Sequence, residues 1–265
     1  MQVPRSIVQS AGPGPAREEL LQTDHGRRYL KAWLASRLAV GLLGLLMPVL
    51  LIAGDKLVLA YSLSTRGSLS AYYHSGMRDI FVGTLCVIGV FLITYRVNEK
   101  GWDNGLTVAA GTAAVCVALF PTWTDHNQPL TPWQERLGEA TAANIHLTAA
   151  ALFTLSLAVM SLRFAHRDGE RGHARFALAH RVCGVVMLLS VAALVLLKIR
   201  GVDDLGDYTV LLEVEIVCTL AFGVSWLLKG LELRTAIRSA ETAEAAEAAE
   251  AAPPPAELAA VPAPR

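Results

Sequence analysis

Six runs of apolar residues constrain the fold of this chain more than any other feature of its sequence. Each run has roughly 16 to 20 residues, close to the ~20 that a helix needs to cross a hydrocarbon layer ~30 Å thick. The runs contain almost no polar residues, whereas a soluble amphipathic helix shows them along one face. They are residues 38–54, 80–95, 106–123, 145–162, 182–197 and 209–228. The sequence therefore predicts an all-α, polytopic membrane bundle of six transmembrane helices.

The positions of the basic residues predict how these helices are oriented. Lys and Arg accumulate in the short cytoplasmic loops of membrane proteins. In this chain they accumulate before the first run, between the second and third, between the fourth and fifth, and after the sixth. These places lie on one side of a path that crosses the membrane six times, so we predict that both termini are cytoplasmic. The residues are Arg27, Arg28, Lys31, Arg37, Arg96, Lys100, Arg163, Arg167, Arg171, Arg175, Arg181, Lys229, Arg234 and Arg238.

The composition fits one membrane domain and argues against some partners. Only 17% of the residues are charged, against about 25% in soluble domains. The formal net charge is zero, so no overall field favours binding to nucleic acid. The four cysteines lie inside apolar runs without CxxC spacing, which indicates neither a zinc knot nor a disulfide framework. An excess of arginine over lysine, with abundant alanine, favours a bacterial plasma membrane.

Two polar tails flank the predicted transmembrane domain, which spans residues 34–230. Residues 1–33 are rich in Gly, Pro and polar residues and are predicted to form a disordered lead. Residues 231–265 are rich in Ala, Glu and Pro. The Ala/Glu part has helix propensity but no evident apolar face, and the three prolines that follow end any helix. We predict a solvated, low-complexity tail.

Polar residues near the predicted outer ends of the helices are the candidates for a functional site. An ionisable group at the centre of a bilayer costs ~2.5–3.5 kcal/mol on insertion scales, so it persists only where it faces protein or water. Helices two, four and six are expected to bring these residues together near the outer leaflet, in a polar cavity. The candidates are Ser70, Tyr73, His74, Arg78, Asp79, His146, Glu213 and Glu215.

The spacing of these candidates predicts which of them share a face. Ser70, His74 and Arg78 recur every four residues and form one polar stripe if the segment is helical. Glu213 and Glu215 are separated by about 200° around a helix, so we expect one of them to face the bundle interior.

Three further histidines, His166, His173 and His180, recur every seven residues between the fourth and fifth runs. On one helix they would share a face and could bind a metal or sense pH. The alternative is a basic amphipathic loop whose arginines anchor it to anionic lipid headgroups. Gly169 and Gly172 weaken a continuous helix, so we favour the second interpretation.

Several sequence patterns together resemble a known family. They are SLSAYYHSGMRDIFVGTLCVIGVFLITYR, VALFPT, IHLTAAALFTLSLAVMSL, RVCGVVML and EVEIVCTLAFGVSWLLKG. In this order they resemble a widespread bacterial family of six-span membrane proteins with no assigned function. The resemblance covers about residues 38–230. It implies a six-helix fold and no particular activity.

A more distant similarity is to the membrane hydrolases that include alkaline ceramidases and progestin/adiponectin-type receptors. In that seven-span superfamily, a Ser-x-x-x-His helix, an Asp and a later His-x-x-x-His helix hold zinc and cleave lipid amides. The segment from Ser70 to His74 matches the first of these elements. The later His-x-x-x-His element is absent from this chain. His146 is the histidine that lies at the membrane depth where this element would supply a metal ligand.

These observations support two hypotheses about function. In the first, the protein is a metal-dependent hydrolase of a lipid-like substrate. His74, His146 and a carboxylate hold zinc, which lowers the pKa of a bound water to near ~7. The remaining candidates then divide into catalytic residues, Ser70, Asp79 and Glu213, and substrate-binding residues, Tyr73, Arg78 and Glu215.

In the second hypothesis the protein is a non-enzymatic membrane module. It binds or transports a small molecule, or it supports a membrane complex, and polar residues within its helices line a cavity or lock the bundle. Membrane lipid is the expected partner under both hypotheses, and a small molecule or a lipid is the expected ligand or substrate.

Overall fold

The computed structural model of the chain describes residues 20–21, 23–58, 65–95, 102–124, 129–201, 204–205 and 208–251. Several sequence predictions concern residues outside these ranges. They are those for most of the N-terminal lead (residues 1–19 and 22), for the basic loop residues Arg96 and Lys100, and for the proline-rich end of the C-terminal tail.

The described residues form an all-α protein, as the sequence predicts. A five-residue π-helical turn, Gly54–Val58, follows the first helix, and a short 3-10 helix, Ser70–His74, precedes the second. Two-residue strands β1 (Asp204–Leu205) and β2 (Tyr208–Thr209) pair antiparallel before the last helix. The helices are α1 (Asp24–Ala53), α2 (Arg78–Thr94), α3 (Trp102–Leu119), α4 (Pro132–Leu137), α5 (Glu139–Glu170), α6 (Ala174–Ile199) and α7 (Val210–Ala251).

Four of these helices have the length and the apolar composition that crossing a bilayer requires. They are α1 with the turn that follows it, α5, α6 and α7. Helices α2 and α3 are also apolar but shorter, with 17 and 18 residues. The chain is therefore consistent with a membrane-embedded protein. Six crossings with both termini in the cytoplasm remain a prediction.

The long helices pack in the order of the sequence. Each contacts the next, from α1 through α2, α3, α5 and α6 to α7, and α7 closes the bundle against α1. The short helix α4 begins with a capping box between Thr131 and Gln134 and leads directly into α5. Helix α5 ends at a turn where Gly172 has a φ of 77°, a conformation that favours glycine. The turn sends α6 back along α5.

Glycines allow the neighbouring helices α2 and α3 to approach closely. A Cβ atom on Gly111 would lie 2.5 Å from the carbonyl oxygen of Gly89 and 2.7 Å from the backbone nitrogen of Ile93. Backbone atoms cannot move aside as a flexible side chain can. Small residues at the contact are therefore a condition for this packing, as in other membrane helix pairs.

We predict that Gly111→Ala destabilises the protein by about 1–3 kcal/mol, because the added methyl group forces α2 and α3 apart. Gly83→Ala is the matched control, since a Cβ at Gly83 meets no atom within 4 Å. Thermal unfolding in detergent measures both variants. Equal melting temperatures for the two variants would show that α2 and α3 do not pack at this contact.

Both terminal helices extend beyond the predicted limits of the transmembrane domain, 34–230. Helix α1 begins at Asp24, within the predicted disordered lead, and α7 continues to Ala251, within the predicted solvated tail. The physical reason is a small apolar cluster between the two extensions. It consists of Leu20, Leu30, Leu233 and Ile237.

Ion pairs continue this contact beyond the apolar cluster. Arg27 lies 2.7 Å from Glu244, and Lys31 lies 2.6 Å from Glu241. The glutamates of the Ala/Glu repeat thus face the basic start of α1, which gives this part of the tail a packing partner.

Candidate functional site

Glu215 joins the 3-10 turn to helix α7. Its carboxylate accepts hydrogen bonds from the backbone N–H of Leu69 at 2.5 Å and from the Ser70 hydroxyl at 3.2 Å. The Ser70 hydroxyl lies 3.0 Å from that of Ser68. The structure therefore brings two of the predicted site residues, Ser70 and Glu215, into direct contact. Glu215 satisfies a backbone donor at the start of a short helical turn, which is a capping interaction.

His74 and His146 both contact the segment that follows α3. Nδ1 of His146 donates to the carbonyl oxygen of Phe120 at 2.7 Å, and Nε2 of His74 donates to that of Thr122 at 3.0 Å. A carbonyl oxygen only accepts, so these ring nitrogens carry the protons. The amide of Gln134 donates to the same Thr122 oxygen at 2.9 Å. The two histidines thus hold one non-helical segment, His74 from the 3-10 turn and His146 from α5.

Of the remaining predicted residues, Tyr73 is buried, and Arg78, Asp79 and Glu213 are exposed. Arg78 donates to the Tyr73 hydroxyl at 3.0 Å, and its guanidinium carbon lies 4.6 Å from the centre of the Tyr73 ring. Asp79, at the start of α2, and Glu213 are both exposed, whereas Glu215 is half-buried. Among the described residues, the one cluster of three possible metal ligands includes none of the residues predicted near the outer leaflet, although it includes His173, one of the three regularly spaced histidines.

Tyr72, in the same 3-10 turn, is fully buried beneath the Arg66 guanidinium, whose carbon lies 5.6 Å from the ring centre. Burial raises the pKa of the Tyr72 hydroxyl, because the charged phenolate loses its solvation. The side chain is therefore neutral at physiological pH and serves the apolar core at this end of the bundle.

A large groove opens sideways between α3 and α5. Its volume is about 680 Å³. Small and apolar side chains form most of its wall, and four polar side chains, three of them threonines, interrupt it. The lining residues are Ala109, Thr112, Ala113 and Cys116 on α3, and Thr141, Asn144, Ile145, Thr148, Ala149 and Leu152 on α5.

The polar residues of this groove form a stripe along α5. Thr141, Asn144 and Thr148 are three and four residues apart, so they share one helix face. His146 lies about 200° around the helix from Asn144 and points into the bundle. Within the described residues, the exposed Asn144 side chain makes no hydrogen bond. The groove is thus a second polar feature on α5, on the face opposite to the predicted site.

At the other end of the bundle, a buried lysine bridges two buried carboxylates. The Lys229 ammonium lies 2.6 Å from Asp168 and 2.5 Å from Glu232. Asp168 is fully buried, and Lys229 and Glu232 are each 7% exposed. Oxygen and nitrogen atoms of Asp168, His173 and Glu232 lie within 4.8 Å of one another, a spacing suited to a metal ion. The Lys229 ammonium already supplies a cation between the two carboxylates.

Buried polar side chains lead from this ion pair to the centre of the bundle, and two hydrogen bonds join the inner three of them. Ser161 donates to the Ser225 hydroxyl at 3.0 Å, and Ser225 lies 2.8 Å from Nδ1 of His180. Nε2 of His180 lies 3.4 Å from Asp168. Ser225 and His180 are fully buried. These contacts join α5, α6 and α7 through polar atoms that lipid cannot solvate.

Further charged side chains lie at the same end of the bundle as these polar residues. Asp103 accepts hydrogen bonds from Arg163 at 3.0 Å and from Arg167, which ties α3 to α5. Arg37, which is 8% exposed, donates to the Tyr95 hydroxyl at 2.6 Å, and its guanidinium carbon lies 5.1 Å from the Tyr95 ring centre. The three arginines were counted as loop charges in the sequence, but their side chains pair with residues of the bundle at this end.

The three regularly spaced histidines do not share a face. His166 is exposed on α5 and pairs with Glu170 at 3.2 Å, His173 is exposed in the turn, and His180 is buried on α6. The turn at Gly172 separates them, as the two glycines suggested. The sequence signal that could have identified the buried network is Asp168, an acidic residue within an otherwise basic segment.

We predict that Lys229→Met destabilises the protein by about 3–5 kcal/mol, because it leaves two buried carboxylates without their shared cation. Lys31→Met, which removes an exposed ion pair with Glu241, is the matched control and should cost about 0–1 kcal/mol. Unfolding in mixed detergents by SDS titration measures both. If Lys229→Met costs no more than Lys31→Met, the buried ion pair does not stabilise the bundle.

A protein family described as "Protein of unknown function (DUF998)" matches residues 61–228, well over half of the chain. No curated protein and no solved structure matches the chain significantly.

Proposed function

We propose a function from the geometry itself, because the chain belongs to the DUF998 family, whose description names no function. The protein is a non-enzymatic membrane module that binds a lipid or a similarly amphiphilic molecule in the groove between α3 and α5. Its location is a bacterial plasma membrane, with both termini in the cytoplasm, as the basic residues of the loops favour.

The groove itself is the observation that supports this proposal. Its volume of about 680 Å³ falls within the ~300–1,000 Å³ of typical ligand sites. A mostly apolar wall with few polar groups is the composition such sites share. The alanines at positions 109, 113 and 149 leave the space that larger side chains would fill.

Asn144 supplies the argument for an amphiphile rather than a plain hydrocarbon. A threonine hydroxyl on a helix can bond to a carbonyl of its own preceding turn, whereas an amide with two donors is harder to satisfy locally. An unsatisfied polar group in hydrocarbon costs several kcal/mol. Asn144 immediately precedes the apolar run that starts at Ile145. At that depth, the ester or amide carbonyl of a lipid is a suitable acceptor.

We expect the purified protein to retain about one tightly held lipid per chain, and Asn144→Leu to weaken this binding about fivefold. The reason is the loss of a hydrogen bond worth about 1 kcal/mol. Ala109→Phe, which fills the groove, should abolish retention. Mass spectrometry of lipids that remain after detergent exchange measures the stoichiometry.

Thr94→Val is the control for this experiment. The Thr94 hydroxyl is exposed on α2 and donates to the carbonyl of Val90 within its own helix, outside the groove. Lipid retention that is the same in the wild type, Asn144→Leu and Ala109→Phe would contradict the proposal.

One observation favours a second candidate, a metal-dependent hydrolase of a lipid-like substrate. His74 and His146 contact carbonyls only two residues apart, at Phe120 and Thr122. Metal-bound histidines commonly donate one ring N–H to a carbonyl, which fixes the direction of the other nitrogen. Glu215, already bonded to Ser70, would supply the carboxylate. The similarity of the Ser70–His74 segment to the membrane hydrolases supports the same assignment.

The hydrolase candidate requires about one zinc ion per chain. Elemental analysis of protein purified without chelators and without an affinity tag that binds metal tests it. Zinc near one equivalent, lost in both His74→Ala and His146→Ala but retained in His166→Ala, would favour the hydrolase. Zinc below a tenth of an equivalent removes this candidate and leaves the lipid-binding module.

A further inference from the structure

We propose that a second groove, between α1 and α7, binds an anionic phospholipid whose phosphate contacts the Lys56 ammonium. This site lies on a different helix pair from the groove between α3 and α5, and it does not depend on that groove's function.

The groove forms where α1 and α7 separate after a region of close contact. A Cβ on Gly223 would lie 2.8 Å from the backbone nitrogen of Leu45, and one on Gly41 would lie 2.8 Å from that of Leu227. Beyond Pro48 the helices leave a groove of about 480 Å³. Its wall is almost entirely apolar and includes Val49, Ile52, Ala53, Ile216 and Leu220, and Lys56 lies at its end.

The π-helical turn after α1 places the Lys56 ammonium at the mouth of this groove. Gly54 packs against the sulfur of Met77, and the buried Asp55 accepts a hydrogen bond from Arg66 at 3.1 Å. These contacts hold the turn in place, and the Asp55 carboxylate pairs with Arg66 on the side of the turn that faces the bundle. Within the described residues, Lys56 has no ion pair and no hydrogen bond. Its half-buried stem lines the groove, so its charge is available to a ligand there.

The position of the groove identifies the occupant as a lipid. Both helices have the length and composition to cross a bilayer, and the first candidate span ends at Leu57, directly after Lys56. The stretch from Pro48 to Leu57 rises about 14 Å along the helix axis, which is a suitable length for an acyl chain. Lys56 then lies where hydrocarbon gives way to headgroups. A lysine at that level attracts anionic headgroups by about 1 kcal/mol.

Native mass spectrometry of the full chain, titrated with phosphatidylglycerol or with phosphatidylcholine of the same acyl chains, tests this site. We expect Lys56→Gln to weaken phosphatidylglycerol binding about fivefold and to leave phosphatidylcholine binding unchanged. Lys56→Arg should retain the preference for the anionic lipid. Ala53→Phe, which fills the groove, should weaken binding of both lipids. Lys31→Gln, at the opposite end of α1, controls for the loss of one lysine.

Equal phosphatidylglycerol affinity in the wild type and Lys56→Gln would overturn the proposal, as would an equal loss in Lys31→Gln. A dimer that Ala53→Phe dissociates would also overturn it, since a second copy of the chain would then occupy the groove. Asn144→Leu should leave the lipid preference at Lys56 unchanged. Failure here is therefore distinguishable from failure of the groove between α3 and α5.

Discussion

The bridge from Lys229 to Asp168 and Glu232 is the interaction on which the interior of this bundle depends. Charges that are removed from water must be satisfied by the protein, since lipid offers no hydrogen bonds. The bridge joins α5 to α7, and Asp168 lies beside His180, which connects α6 to Ser225 on α7. At the opposite end, one carboxylate, Glu215, performs a similar task for a single turn. Between these polar ends, the core is filled by apolar and aromatic side chains.

The lateral grooves follow from how the helices pack. Glycines allow backbones to approach within contact distance, so a helix pair is tight at the glycines and open beyond them. The space between α1 and α7 opens beyond Pro48, and the space between α3 and α5 is left by alanines. In each groove, a polar side chain makes no hydrogen bond to the described residues: Asn144 in one and Lys56 in the other. An amphiphile satisfies both the apolar wall and that group.

The sequence predicted the helices better than it predicted their polar contacts. Apolar runs locate a helix because the signal is local, and the separation of Glu213 and Glu215 around a helix indicated that one of them faces inward. By contrast, the pairing of Asp168 with Lys229 joins residues that are far apart in the sequence, and no spacing reveals it. Lys229 and Arg37 were interpreted as topology signals because a basic residue at a helix end has the same sequence pattern whether it is buried or solvated. Leu233 and Ile237, four residues apart, were the overlooked signal for the extension of α7.

A structure of the protein in lipid nanodiscs, determined by electron cryomicroscopy, would show whether a lipid occupies the groove between α3 and α5. We expect elongated density along α5 in this groove, with a polar end within hydrogen-bond distance of the Asn144 amide. If α3 and α5 close the groove by direct contact, or if the Asn144 amide bonds to the protein itself with no lipid beside it, the groove is not a lipid site.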